Sequence, residues 1–487
     1  MAPSNVAFLC LLGGGAAASV APRAARPVAV GSAYPARELC SRCGLCDTPF
    51  IGHVAQACAF LGDGMARIDA AEALAHGRAR RLDEEDELYF GVHTELSGVR
   101  MREPLAGAAW TGVVSAIAIE ALESGLVDAV IAVGARAEDG PARMEPRPQL
   151  CRTAAQIRAC AGVKPVLANS LELLDAVRAD ASIRSLLFVG VGCQVQALRA
   201  VEAHLGLDAL YVLGTNCADN VRSSGALRRF MSAVSTSPDT AIGFEFMQDY
   251  AVHVKHVPGP ADTAAQGVPH APADSARAAL YERVPVFSLP QSGLKDVIAD
   301  SCTSCFDYSN ALADLVVGYM AAPLRHGERM TESTQYVVVR NARGAALLDG
   351  IRPRARFTAL SSNGDRRPFV PGIVEQDLEG LLGDSPPQLW AMPRWLGTLL
   401  ARLLSRLGPS GVEFAKSSID YHLLRNLVRV RVTEGEVRAA AAIPAHARAV
   451  EAAYGTLADE LVARYRALRA ARPELSRRPP PMRREAE

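Results

Sequence analysis

The sequence predicts an α/β fold: a parallel-sheet core preceded by a cysteine-rich N-terminal segment. Three observations carry this. Between residues 109 and 214, apolar runs of strand length alternate with amphipathic helical segments, the pattern of a sheet covered on both faces. Eight of the eleven cysteines fall into two sets of four, one nearly contiguous and one dispersed. The chain has 487 residues, enough for roughly two to three domains with buried cores.

Residues 1–33 read as a targeting presequence. VAFLCLLGGGAAASV is an apolar run too short to span a bilayer, and APRAARPVAVGS carries two arginines and no acid. The combination resembles a cleaved bipartite presequence and predicts the plastid stroma. Residues 34–100 hold the contiguous cysteines, then HGRARR (76–81) and DEEDE (83–87), a surface connection. Its arginines either meet an acidic partner or balance the acidic run beside them.

Residues 101–180 form the next unit, with WTGVVSAIAIEALESG a helix, VDAVIAVGA (127–135) a buried strand and SLELLDAVRA a helix. In residues 181–345, SLLFVG (185–190) is a strand, QVQALRAVEAHLG a helix and ALYVLG (209–214) a strand. FEFMQDYAVHVKHV, VPVFSLP and QYVVVRN add β structure, and a Pro/Ala/Asp-rich surface loop fills 257–284. Alternation in VHVKH puts His253 and Lys255 on the solvent face of their strand. Residues 346–465 are a helical extension containing the amphipathic WLGTLLARLLSRLG (395–408), and 466–487 a disordered tail. No segment predicts a transmembrane span. Lys+Arg and Asp+Glu are 52 each, so no global field points to nucleic acid.

The cysteines carry the chemistry. Cys40, Cys43 and Cys46 are spaced two residues apart and Cys58 follows; this run suits an iron–sulfur cluster, with zinc the alternative. Cys193 and Cys217 each follow a strand. If those strands are parallel neighbours, both thiols emerge at one carboxyl edge, Cys193 at a helix N-terminus that favours a thiolate. Cys302 and Cys305 then complete a second four-sulfur set. In two-cluster ferredoxins the fourth cysteine of a run serves the other cluster, so Cys58 belongs to either set. Cys151 and Cys160 read as inert buried thiols.

The blocks CSRCGLCDTPFIGHVAQACAFLGDGM, GVGCQVQALR, YVLGTNCADN, FEFMQDYAVHVKH, SCTSCFDYSNALADLVVGYM and NGDRRPFV resemble the coenzyme-deazaflavin hydrogenase/dehydrogenase beta-subunit family, in its plastid and cyanobacterial branch. The resemblance runs from about Tyr34 to about Arg431. It implies an α/β flavin/iron–sulfur oxidoreductase, with FAD and two 4Fe–4S clusters as cofactors and reduced ferredoxin as electron donor. HGRARR is then a ferredoxin-docking patch or a solvated loop. The resemblance assigns Cys40, Cys43, Cys46 and Cys58 to one cluster and Cys193, Cys217, Cys302 and Cys305 to the other. It places flavin contacts at Trp110, Thr111, Gly112, Val113 and Ser115, and at Gly162 and Lys164. The implied substrate is a chlorophyll-type macrocycle, with 8-vinyl reduction of a 3,8-divinyl (proto)chlorophyllide expected in chlorophyll biosynthesis. Reduction of a 7-hydroxymethyl chlorophyll, or a non-catalytic electron-transfer subunit, are the alternatives, and a homo-oligomer is compatible with all three. Candidates for the proton donor that reduction needs are His93, Asp249 and Tyr250, with Glu245, His253 and Asp307 behind them.

Overall fold

The computed structural model describes residues 40–58, 60–61, 64–106, 108–135, 141–257, 281–289, 297–324, 328, 330–383 and 392–476. The expected presequence and most of the 257–284 loop lie outside them, as does the tail beyond residue 476.

Eleven strands form the two principal sheets: β1 (Glu95–Met101), β2 (Ala129–Ala135), β3 (Pro146–Cys151), β4 (Ser185–Gly190), β5 (Ala209–Thr215), β6 (Ala241–Phe246), β7 (Ala251–His256), β8 (Tyr281–Pro285), β9 (Leu315–Gly318), β10 (Gln335–Val339) and β11 (Ala355–Thr358). Eight of them make one sheet in the order β11-β1-β10-β9-β5-β4-β2-β3. Parallel pairing is confined to β2, β4, β5 and β9; β3 and the β10, β1, β11 side pair antiparallel. The expectation of a parallel sheet is therefore met only at the centre. On the β3 side the reason is connection length: the ten residues 136–145 between β2 and β3 are too few for a crossover helix.

Successive residues of the central strands feed opposite cores. Leu186 and Phe188 of β4, with Leu210 and Val212 of β5, join the core shared with the C-terminal helices. Leu187 and Leu213 join the core under helices Val113–Glu123 and Ala342–Asp349. A three-stranded antiparallel sheet, β6-β7-β8, packs its own core on helix Ser224–Val234. VPVFSLP is strand only as far as Pro285, with a 3-10 turn at Val286–Ser288.

The C-terminal layer is centred on one long helix, Val412–Glu434, whose buried side chains include Lys416, Asp420, Arg425 and Asn426. Around it lie helices Val370–Leu382, Glu436–Ala442, Ala445–Ala452 and Leu457–Ala471. The last of these carries residues 466–471 of the expected disordered tail as helix. Among the described residues, no helix is long and apolar enough to cross a membrane.

Candidate functional site

The site begins where the central strands end. β4 and β5 are parallel neighbours in a register that sets Gly190 opposite Gly214, and helix Gly192–Arg199 lies between them in sequence. Cys193 and Cys217 accordingly leave the same carboxyl edge. The loop carrying Cys302 and Cys305 closes over that edge. A Cβ on Gly192 would stand 2.5 Å from Asp307 Oδ2, so only glycine lets the loop approach. Asp307 accepts hydrogen bonds from Gln196 Nε2 (2.9 Å) and Ala311 N (2.8 Å). Asn310 Nδ2 donates to Gly190 O (2.9 Å) and Thr215 O (3.2 Å), pinning both strand ends. From the long helix, Asn426 Nδ2 donates to the carbonyls of Cys302 (3.0 Å) and Cys305 (2.6 Å).

The contiguous set turns tightly. Arg42 (φ 53°) and Gly44 (φ 87°) are left-handed, which reverses the chain between cysteines, and Arg42 N donates to Cys40 Sγ at 3.3 Å. Arg67 Nη2 donates to Cys58 O (2.7 Å) and Leu61 O (3.2 Å), holding the fourth cysteine's backbone. The two sets abut: Ser301 N donates to Ser41 Oγ at 2.7 Å, joining the loop of Cys302 to that of Cys40.

Electrostatics group the thiols in the same way. Burial first, and then the neighbouring Cys58, Cys46 and Cys40, push Cys43 up to about 12. Cys58 is raised by burial and by Cys40, which associates it with the first set. Burial pushes Cys305 up to about 12 and holds Cys193, Cys217 and Cys302 well above the ordinary thiol range. Cys193 also feels Cys43, so the sets are close enough to interact. Four crowded neutral thiols resist ionising one after another, and a polycationic centre between them would reverse that penalty. An all-sulfur donor set of this kind fits an iron–sulfur cluster. Among the described residues, no three His, Cys, Asp or Glu side chains converge as a single-ion site.

One cleft is lined by Ala109, Arg143, Ala161–Val163, Ile242–Glu245, Lys255 and Met330; of the expected flavin contacts Gly162 lines it, while Trp110, Thr111, Gly112, Val113, Ser115 and Lys164 do not. Gly112 (φ 91°) caps helix Val113–Glu123 and turns the chain into it. The first intrahelical bond into that cap is Ala116 N to Gly112 O, so the preceding N–H groups of the first turn point outward. Side chains there are less available than the sequence implied. Thr111 is buried with its hydroxyl accepting from Met101 N (3.2 Å), and Val113 lies in the core. Ser115 is half-buried. Gly162 (φ 95°) lines the cleft, but Lys164 Nζ is spent on the carbonyls of Cys160 (2.5 Å), Ala161 (3.0 Å) and Gly162 (2.9 Å), and burial lowers it to about 8. Trp110 stacks on Tyr319, ring centroids 4.7 Å apart.

Glu245 faces that stack. Burial raises its carboxyl to about 7, against the opposing pull of the Tyr319 and Trp110 polar groups, which favour the carboxylate. The three proton-donor candidates placed first by sequence sit elsewhere. His93 Nδ1 is bound to Gly91 O (2.8 Å). Asp249 Oδ2 meets His253 Nε2 (2.8 Å), and Tyr250, itself left-handed (φ 57°), packs on Phe287 and Phe414. None of the three lines the cleft. The solvent-face expectation for His253 and Lys255 also fails. β7 is the middle strand of its sheet; His253 is 1% exposed, and Lys255 turns into the cleft with Nζ donating to Ala108 O (3.0 Å).

HGRARR is knitted into the fold. Arg78 and Arg81 both bind Glu87, and Arg80, 6% exposed, binds Glu72. Cys151 and Cys160 bring their sulfurs to 3.8 Å, away from either cysteine set.

The sequence matches the family described as coenzyme F420 hydrogenase/dehydrogenase, beta subunit, with the N-terminal part over residues 97–175 and the C-terminal part over 183–362. It is 47% identical over 424 residues to 7-hydroxymethyl chlorophyll a reductase, chloroplastic, of Oryza sativa subsp. japonica, covering 87% of this chain and 84% of that protein. It is 41% identical over 423 residues to an uncharacterized protein of Nostoc sp., covering 87% and 95%. Among solved structures, the F420-reducing [NiFe] hydrogenase complex from Methanosarcina barkeri aligns with a TM-score of 0.47 and 18% identity, over 71% of this chain and 95% of that one. The chain is an oxidoreductase belonging to the coenzyme F420 hydrogenase/dehydrogenase beta-subunit family.

Proposed function

We propose that this protein reduces a chlorophyll-type macrocycle in the plastid, taking single electrons from reduced ferredoxin. Cys40, Cys43, Cys46 and Cys58 would hold one 4Fe–4S cluster and Cys193, Cys217, Cys302 and Cys305 the other, with FAD at the cleft lined by Ala109 and Gly162. Bound there, the clusters supply one-electron steps and the flavin a hydride equivalent. The chain's own task is to hold the thiols, exclude water and deliver a proton. Glu245 is the group best situated for the proton, because among the described residues lining the cleft it is the carboxyl, and burial raises it to about 7, so that it is substantially protonated at neutral pH.

The observation that supports this reading is the meeting of the Cys40 loop with the Cys302–Cys305 loop through Ser41 and Ser301, beside the edge where Cys193 and Cys217 leave the parallel strands. The 7-hydroxymethyl group is the first candidate for the position reduced, since a relative bearing that name is 47% identical over most of both chains. The 8-vinyl group is the competing position. "Chloroplastic" in that relative's name supports the plastid reading of residues 1–33.

The test is an anaerobic assay of purified protein with reduced ferredoxin, offering 7-hydroxymethyl chlorophyll a and 3,8-divinyl chlorophyllide in parallel. Turnover of the first alone fixes the position; turnover of the second alone moves it to the 8-vinyl group. If neither is reduced while the flavin still bleaches with ferredoxin, the chain is an electron-transfer subunit and the pigment reading falls.

A further inference from the structure

Helix Arg394–Leu407, RWLGTLLARLLSRL, turns its small residues inward and its large ones outward. Gly397 and Ala401 are buried, and a Cβ on Gly397 would strike Ser288 Oγ at 2.3 Å, so the helix rests on the end of β8 by its smallest residues. Opposite that contact, Trp395, Leu399, Leu403 and Leu407 are 71%, 60%, 52% and 66% exposed. Their four-residue spacing makes one continuous stripe along the helix. Isolated surface leucines need no explanation, but a contiguous apolar stripe does.

Charge identifies what covers it. The helix has three arginines and no acid. Arg394 is tied to Glu282 Oε1 (2.8 Å) and Val234 O (3.2 Å) at the end that meets the protein. Arg402 and Arg406 are exposed, and each lies three residues beyond a stripe leucine (Leu399 and Leu403), on the same face. Long arginine stems can lift their guanidinium groups toward headgroup phosphates while leucines dip below, and an indole suits that boundary. A second copy of the chain fits poorly, because antiparallel pairing of two such stripes would gather four arginines along one seam. Fourteen residues make a helix about 21 Å long, shorter than the hydrocarbon core of roughly 30 Å. The helix can lie in the interface but not cross it.

We propose that this stripe is a docking surface for an anionic lipid bilayer, with helix Arg394–Leu407 lying in the headgroup plane. The proposal goes beyond the pigment reading and does not depend on it. It also locates the field: the chain's net charge is zero, and the attraction is local to this helix.

The experiment is flotation of the anaerobically purified full chain with phosphatidylglycerol-containing vesicles and with pure phosphatidylcholine vesicles. The wild type is expected to float with the anionic vesicles and to be released by salt. L399E/L403E should abolish flotation while leaving the visible absorbance and thermal midpoint unchanged, since both leucines face away from the core. R402Q/R406Q should cut partitioning to anionic vesicles by roughly 30-fold. Equal flotation of wild type and L399E/L403E, or no flotation with either vesicle, overturns the proposal. So does a concentration-dependent dimer of the wild type that L399E/L403E dissolves, which would assign the stripe to self-association.

Discussion

Glu245 shows how a single residue acquires a function from neighbours remote in sequence. Its carboxyl is held near 7 by burial against the Trp110–Tyr319 stack, with Lys255 and Arg143 the cations of the same cleft. As a proton donor it must be protonated, so kcat should fall as pH rises through about 7. In Glu245→Gln that limb should vanish and kcat drop by about 10²-fold; an unchanged pH profile removes Glu245 from the reaction. The linkage to stability runs the same way. A raised carboxyl costs the fold nothing below its unfolded pKa and progressively more as pH climbs through the folded value. Glu245→Gln should therefore raise the thermal midpoint relative to wild type at pH 8 and leave it unchanged at pH 4. Gly112 gives a second test at this scale. With φ 91° and Leu105 Cβ 2.5 Å from any added methyl, Gly112→Ala should destabilise by about 1–3 kcal/mol and release flavin, read by melting and by bound-flavin absorbance. The eight clustered cysteines were legible because spacing and strand ends are local signals. Glu245 was legible as one proton-donor candidate among several, ranked behind His93, Asp249 and Tyr250, since the burial that sets it apart comes from tertiary contacts that one sequence does not write down.

At the scale of elements, helix Val412–Glu434 does more than cover a core. Arg425, 1% exposed, is bound by Asp219 (3.0 and 3.1 Å) and Asp377 (3.2 Å), and its neighbour Asn426 holds the Cys302–Cys305 backbone. Asp219 lies two residues past Cys217, so one helix braces both arms of the second cysteine set. Arg425→Ala would leave two half-buried carboxylates without their cation, and a loss of about 2–4 kcal/mol, below the full cost of breaking a wholly buried pair, is expected in denaturant unfolding. Asn426→Ala should cost less, about 1–3 kcal/mol, because two carbonyls lose their donor while packing is kept. The extension was readable as helical, yet its bracing role was not. A helix with acids, bases and apolar residues all buried has no single amphipathic stripe for periodicity to find. The antiparallel side of the sheet was hidden for a related reason: an apolar run marks a strand without giving its direction.

For the whole molecule, the Ser41–Ser301 bond makes the two cysteine sets mechanically adjacent. Anaerobic iron chelation should therefore lower the thermal midpoint of the protein as a whole and expose thiols of both sets to alkylation together, monitored by mass spectrometry. Independent release, with one set alkylated while the other stays protected and the midpoint stays fixed, would contradict this coupling. The strand order has a consequence of its own. β1 lies between β10 and β11, while β2 and β3 cap the far end beyond β4. The stretch 97–175 thus supplies strands to both sides of a sheet whose middle comes from 183–362. The joint at residues 176–182 is a seam in the sequence but not in the solid. A chain severed there would yield two pieces with bare strand edges, each needing the other present to fold, like two combs whose teeth close only when meshed.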